Sequence, residues 1–171
     1  VAAFNLLKAR GNSDLKLVLA GHDFRDIDAI NDPDSRDAII QSSYRSDIKL
    51  LGFINDSEKQ YLYKNALAFV FPSVCEGFGL PILESMQEQC PVVAYNGPFS
   101  SMSEVALDGA IIIQPSHVNL FNALDRIANT RDSELETLKA RGLDIVKLYS
   151  WDKCARQTIE ALKDTSFMQR N

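Results

Sequence analysis

The sequence contains only three cysteines, two histidines and one tryptophan in 171 residues. Cys75, Cys90 and Cys154 are scattered and form no Cys-x-x-Cys pair. That spacing supports neither a zinc site nor a dithiol redox motif, and it reads as reduced thiols of a cytoplasmic protein. No apolar run reaches the roughly 20 residues that cross a bilayer. There is no basic excess either: Lys and Arg number 18 against 23 Asp and Glu, a formal charge of -5. A general nucleic-acid binder needs a basic face to displace counterions, so the charge argues against that class. One phosphorylated small molecule needs only a local field. Asp23, Asp26, Asp28, Asp32 and Asp34 lack the regular spacing of a calcium loop, so they read as a solvated acidic loop, and no metal site is expected. The chain also opens without an initiator Met, a signal sequence or a helix cap. Residues 1–10 read as the second half of an amphipathic helix, which leads us to expect an excised fragment.

What is present is ordinary globular composition, 46% apolar and 24% charged, at a length that suits one domain. Short, nearly continuous apolar runs predict strands at 15–21, 48–53, 67–73, 91–95 and 110–115. Strands buried on both faces look like this, as in a parallel sheet covered by helices. Helical patterns lie between them, at 34–44, 57–66, 81–89, 101–106, 117–129, 133–148 and 151–163. Ser57 with Gln60 and Ser101 with Glu104 have capping-box spacing. The predicted fold is α/β, a Rossmann-like open parallel sheet flanked by helices.

The stretch EGFGLPILE, residues 76–84, carries the chemistry. It follows a predicted strand, and in an open parallel sheet ligands bind beyond the carboxyl ends of the strands. Gly77 and Gly79 allow the backbone a close approach to a ligand. Pro81 suits a first helical turn, whose free N–H groups and dipole favour an anion. The pattern suggests that amides of Phe78, Gly79 and Leu80 hold a diphosphate, while Glu76 and Glu84 accept hydrogen bonds from sugar hydroxyls on either side. The plain alternative is a turn followed by a helix whose first turn favours a carboxylate.

The segment PSVCEGFGLPILESMQEQCPVVAYNGPFSSMSEV, residues 72–105, closely resembles the signature of retaining GT-B glycosyltransferases with a Glu-x7-Glu motif, the glycosyltransferase group 1 family. The similarity extends through LKLVLAG, IKLLGFINDSEKQYLYKNALAFVFPS, DGAIIIQPS and LYSWDKCA, over most of residues 15–156. It implies the C-terminal half of a GT-B fold, one nucleotide-sugar-binding domain over residues 1–171. It implies transfer of a sugar to an acceptor hydroxyl with retention, by a mannosyl- or glucosyltransferase of polysaccharide or lipopolysaccharide synthesis. Glu76 takes the catalytic place near the donor sugar. Gly77, Phe78, Gly79, Leu80 and Ser73 border the sugar and diphosphate, Glu84 the ribose, and Phe53 and Ile54 the base. The implied partners are a nucleotide-sugar donor such as a UDP- or GDP-sugar, a saccharide or lipid-linked acceptor, and an N-terminal domain absent here. The implied location is the cytoplasm, at the membrane face, with peripheral membrane association of the full enzyme. No cofactor is implied.

Two departures stand out. Glu88 and Gln89 replace the family's usual small residue and Gly. The Arg and Lys that neutralise the leaving diphosphate belong to a βα unit before Val1, so the domain's own first strand is missing too, and Lys8 and Arg10 come too late to replace the pair. The chain alone is expected to fold and to transfer no sugar. Among other residues, Glu104 reads as a cap, His22 as a loop histidine, Asn96-Gly97-Pro98 as a turn and Trp151 as the anchor of the last helix. Ser73 either touches a phosphate or ends its strand. A glycoside hydrolase using Glu76 and Glu84 fits poorly, because its carboxylates must face each other across a bond. A non-catalytic nucleotide-binding module is the standing alternative.

Overall fold

A computed structural model describes residues 1–97, 99–130 and 132–163. The chain runs α1 (Ala2–Ala9), β1 (Leu17–Ala20), α2 (Pro33–Ile40), β2 (Ile48–Gly52), α3 (Asp56–Asn65), β3 (Phe69–Phe71), β4 (Cys75–Glu76), α4 (Leu80–Gln87), β5 (Val92–Tyr95), β6 (Phe99–Ser100), α5 (Met102–Ala106), β7 (Ile111–Ile113), α6 (His117–Asn129), α7 (Asp132–Val146) and α8 (Trp151–Lys163). Every strand pair is parallel. β1 pairs with β2, and β5 lies between β3 and β7. The helix-covered parallel α/β architecture expected above is therefore present.

β5 shows why its sequence lacks alternation. Val92 and Ala94 face a core of Ile82, Met86, Met102, Val105 and Ala106, whereas Val93 faces Ala123 and Ile127. Successive strand residues point to opposite faces, and here helices cover both. Full burial of each valine contributes about 1.5–3 kcal/mol. A third cluster, Phe4, Ile30, Ile39 and Ile48, closes α1 and α2 over the β1–β2 pair.

Several local expectations are corrected. The capping box of α3 is Asn55 with Glu58, not Ser57 with Gln60: Glu58 N donates to Asn55 Oδ1 at 3.0 Å and Asn55 N to Glu58 Oε2 at 2.8 Å. The helix starts earlier because the asparagine oxygen reaches the free amide as readily as a serine. α2 likewise starts earlier, with Asp32 accepting from Ser35 N at 2.8 Å, and it ends at Ile40 rather than Tyr44. Trp151 does not anchor α8: it is 77% exposed, and α8 buries no residue. Its apolar positions form a stripe that meets no core. The short β4–β6 ladder was not expected, since two-residue strands leave no periodicity to read. Of the predicted turn 96–98, Asn96 N donates to Ile113 O at 2.8 Å, and Pro98 lies outside the described residues.

α4 ends in a way that its sequence hides. Gln89 N donates to Met86 O at 2.9 Å and Cys90 N to Ser85 O at 3.0 Å, the two bonds of a Schellman cap. The cap puts Gln89 in left-handed backbone at φ 57°, the position that glycine usually takes.

Candidate functional site

The EGFG turn is built from three directions. β4 pairs with β6, with Glu76 opposite Ser100, and this brings residue 101 beside the turn. Ser101 Oγ then donates to Gly77 O at 3.0 Å and approaches Glu76 O at 3.5 Å. Ser101 occupies the N-cap position of α5, but its side chain makes no cap bond, which corrects the second capping box. From the far end of the chain, Tyr149 meets the Phe78 ring edge-on, with centroids 5.6 Å apart.

Gly79 opens α4 in left-handed backbone, φ 85° and ψ 47°. A Cβ there would lie 2.6 Å from Met102 Cε. The glycine is thus demanded by the left-handed backbone itself, while the close atoms are the flexible end of the Met102 side chain. Gly77 differs: its φ is ordinary, and an added Cβ would meet nothing within 4 Å. Phe78 and Leu80 remain exposed beside it. At the start of α4, beyond the carboxyl end of β3, Pro81 carries no N–H and Ile82 N donates to Gly79 O at 3.0 Å, so the amide that this helix start can offer a ligand is that of Leu80.

Glu84 sits on α4, and its Oε1 is 3.0 Å from Lys59 Nζ on α3. Lys59 also reaches Asp56 Oδ1 at 3.3 Å. The hydrogen bond to Glu84, ahead of Asp56, holds the Lys59 ammonium above the usual lysine range. Phe53 follows β2 and is 86% exposed, with Ile54 half-buried beside it. Ser73 Oγ donates to Cys75 O at 3.3 Å and so braces the loop between β3 and β4.

The structure therefore gathers Ser73, Glu76, Gly77, Phe78, Gly79 and Leu80 in one turn, with Glu84 on the helix that this turn opens. Phe53 and Ile54 follow another strand, β2, and lead into α3, whose Lys59 pairs with Glu84. Sequence reasoning did not identify Lys59, Ser101, Met102 or Tyr149 as parts of this arrangement. Only Ser101 carried a signal, and that signal pointed to a cap. His22 is exposed, with Nδ1 3.4 Å from Asp23 Oδ1. Lys8 is buried, pairs with Asp47 at 2.7 Å and donates to the carbonyls of Ser13 and Leu15, while Arg10 pairs with Asp125 at 3.1 Å. Among the described residues, no group of three His, Cys, Asp or Glu could hold a metal ion. Nor is any helix among them long and apolar enough to cross a membrane. A cleft of about 380 Å³ opens between α6 and α7, lined by Arg126, Leu135 and Arg141 among others, and contains none of the predicted site residues.

Comparison with known proteins bears on this arrangement. A family model described as glycosyl transferases group 1 matches residues 1–142. The chain is 42% identical over 116 residues to an Escherichia coli protein named O-antigen chain mannosyltransferase B, covering 68% of this chain and 30% of that protein. It is 29% identical over 150 residues to an uncharacterized glycosyltransferase of Methanocaldococcus jannaschii, covering 86% and 37%. Among solved structures, the Anabaena protein HepE in complex with UDP and glucose superposes with a TM-score of 0.75 at 20% identity, over 95% of this chain and 44% of that one. A glycosyltransferase from Rickettsia africae gives the same TM-score of 0.75 at 18% identity, over 99% and 44%. The chain thus spans 30% and 37% of these two curated relatives.

Proposed function

Because the chain belongs to the glycosyl transferases group 1 family, we propose that it is the donor-binding part of a retaining glycosyltransferase that moves a sugar, with mannose favoured, from a nucleotide-sugar to an acceptor hydroxyl. The observation that carries this reading is the EGFG turn. A left-handed glycine opens α4 at the carboxyl edge of the sheet, an open glycine stands two residues earlier, and a carboxylate flanks each side. Peptide N–H groups at a helix start are fixed dipoles that offset negative charge without reorganising. They suit a diphosphate that gains charge as its bond to the sugar breaks.

In this reading Glu76 accepts hydrogen bonds from the donor sugar and orients its anomeric carbon. Glu84 accepts from the ribose. Phe53 and Ile54 offer an apolar surface to the base, and Phe53 is exposed enough to stack on it. Ser73 stands at the phosphate edge. Relatives named O-antigen and serotype-specific mannosyltransferases, and one named for GDP-mannose, favour a mannosyl donor. A UDP-glucose donor is the other choice to test. The acceptor is a saccharide or lipid-linked saccharide of polysaccharide synthesis, met at the cytoplasmic membrane face. Its site lies in the part of the relatives that extends beyond this chain.

Calorimetric titration of GDP-mannose and UDP-glucose into the full-length protein tests this. One of them is expected to bind saturably. Glu84→Gln should weaken the matching nucleoside diphosphate about tenfold, roughly 1.4 kcal/mol. Glu76→Gln should remove transfer while leaving nucleoside diphosphate affinity intact. Failure of both donors to bind sinks the proposal, as does unchanged affinity in Glu84→Gln.

A further inference from the structure

We propose that Lys59 is a positioning residue for the donor nucleoside: it fixes the Glu84 carboxylate and ties it to the loop that borders the base. The inference rests on the donor-site reading above. Lys59 Nζ holds Glu84 Oε1 at 3.0 Å. Among the described residues no hydrogen bond or ion pair engages Oε2, which is left for the vicinal hydroxyls of a ribose. A glutamate on a helix surface otherwise samples several rotamers, and one ion pair selects among them. The side chains are only 31% and 40% exposed, so the pair is partly shielded from solvent.

The position of Lys59 gives the pair a second effect. It stands near the start of α3, directly after the Asn55–Glu58 capping box. That box follows immediately on Phe53 and Ile54. Asp56, at 3.3 Å, holds the ammonium from its own helix. Lys59 therefore connects α4, which the donor reading assigns to the ribose, with the first turn of α3, which follows directly on the residues that it assigns to the base. Its charge also offsets that of Glu84, which would otherwise repel a nearby diphosphate.

The test uses Lys59→Ala, Lys59→Arg, Glu84→Gln and the Lys59→Ala/Glu84→Gln double variant of the full-length protein. GDP and UDP affinities are measured by calorimetry, with melting temperature alongside. Lys59→Ala is expected to weaken the preferred nucleoside diphosphate about fivefold with little change in melting temperature. Lys59→Arg should retain most of the affinity. In the Glu84→Gln background, Lys59→Ala should cause no further loss, because its effect passes through that carboxylate. If Lys59→Ala binds like the parent while Glu84→Gln is weakened, the inference is overturned and the donor site stands. Fully additive losses overturn it as well. If Glu84→Gln itself binds like the parent, the donor-site reading falls first. Should Lys59→Ala fail to fold, Lys59→Met keeps the aliphatic stem and the same outcomes apply.

Discussion

The ring of Tyr149 stands edge-on to the ring of Phe78, with centroids 5.6 Å apart and planes at 82°. The Tyr149 hydroxyl also lies 3.4 Å from the carbonyls of Glu104 and Val105, so one side chain spans the turn and α5. Aromatic pairs of this geometry contribute about 0.5–1.5 kcal/mol beyond simple burial. A double-mutant cycle of Tyr149→Ala and Phe78→Ala, followed by urea unfolding, should return a coupling in that range. Tyr149→Phe should retain most of it. Strict additivity would show that the two rings do not support each other.

The two glycines of the turn should separate fold from binding. Gly79→Ala forces a side chain into left-handed backbone and against Met102. It should cost about 1–2 kcal/mol in stability, chiefly through the backbone. Gly77→Ala has open space around its Cβ and should unfold at nearly the parent urea midpoint. If a diphosphate approaches the turn there, Gly77→Ala should nevertheless weaken the nucleotide. Equal stability losses in both variants would contradict the geometry.

Gln89 carries a backbone strain that can be relieved. At φ 57° it occupies the left-handed position of a Schellman cap. Gln89→Gly removes the Cβ conflict and adds flexibility to the unfolded chain, two effects of opposite sign. The net gain expected is about 0.5–1 kcal/mol, or roughly 2 °C in melting temperature for a chain of this size. A lower melting temperature would mean that the cap does not persist in solution.

Acid should reveal the Lys8–Asp47 pair. The hydrogen bond from Lys8 holds the Asp47 carboxyl below the usual aspartate range. A depressed carboxyl stabilises the fold fully above its unfolded pKa and loses that contribution as pH falls through its folded pKa. Lys8→Met should therefore be less stable than the parent at neutral pH, and the gap should narrow below about pH 4. Urea midpoints measured from pH 6 down to pH 2 give the comparison. A constant gap across that range would assign the loss to packing alone.

The sheet was legible because burial on both faces leaves its mark in the residues themselves, as in Val92, Val93 and Ala94. The EGFG turn was legible because glycine and proline restrict the backbone locally. What could not be read depends on distant partners. Ser101 looks like a cap because its hydroxyl competes for the nearest amide, yet it spends its proton on Gly77 O. Ser57 and Gln60 had capping-box spacing, but Asn55 and Glu58 two positions earlier formed the bonds. Lys59 and Glu84 are 25 positions apart, and no local pattern joins them. Trp151 reads as the anchor of the last helix, while the packing leaves it 77% exposed.

Among the described residues, no strand ladder joins β1–β2 to β3–β5–β7. The two sheets communicate through side chains: α1 against α6, Lys59 with Glu84, Lys64 with Glu88, and the Tyr63 ring on Phe69. Amide exchange should accordingly resolve two cooperative units, with β5 opening only in the more costly transition and β1 and β2 opening separately. Phe53 belongs to the first unit, and the EGFG turn with Glu84 to the second. A partial opening that never unfolds the second unit would part the surface proposed for the base from the helix proposed for the diphosphate.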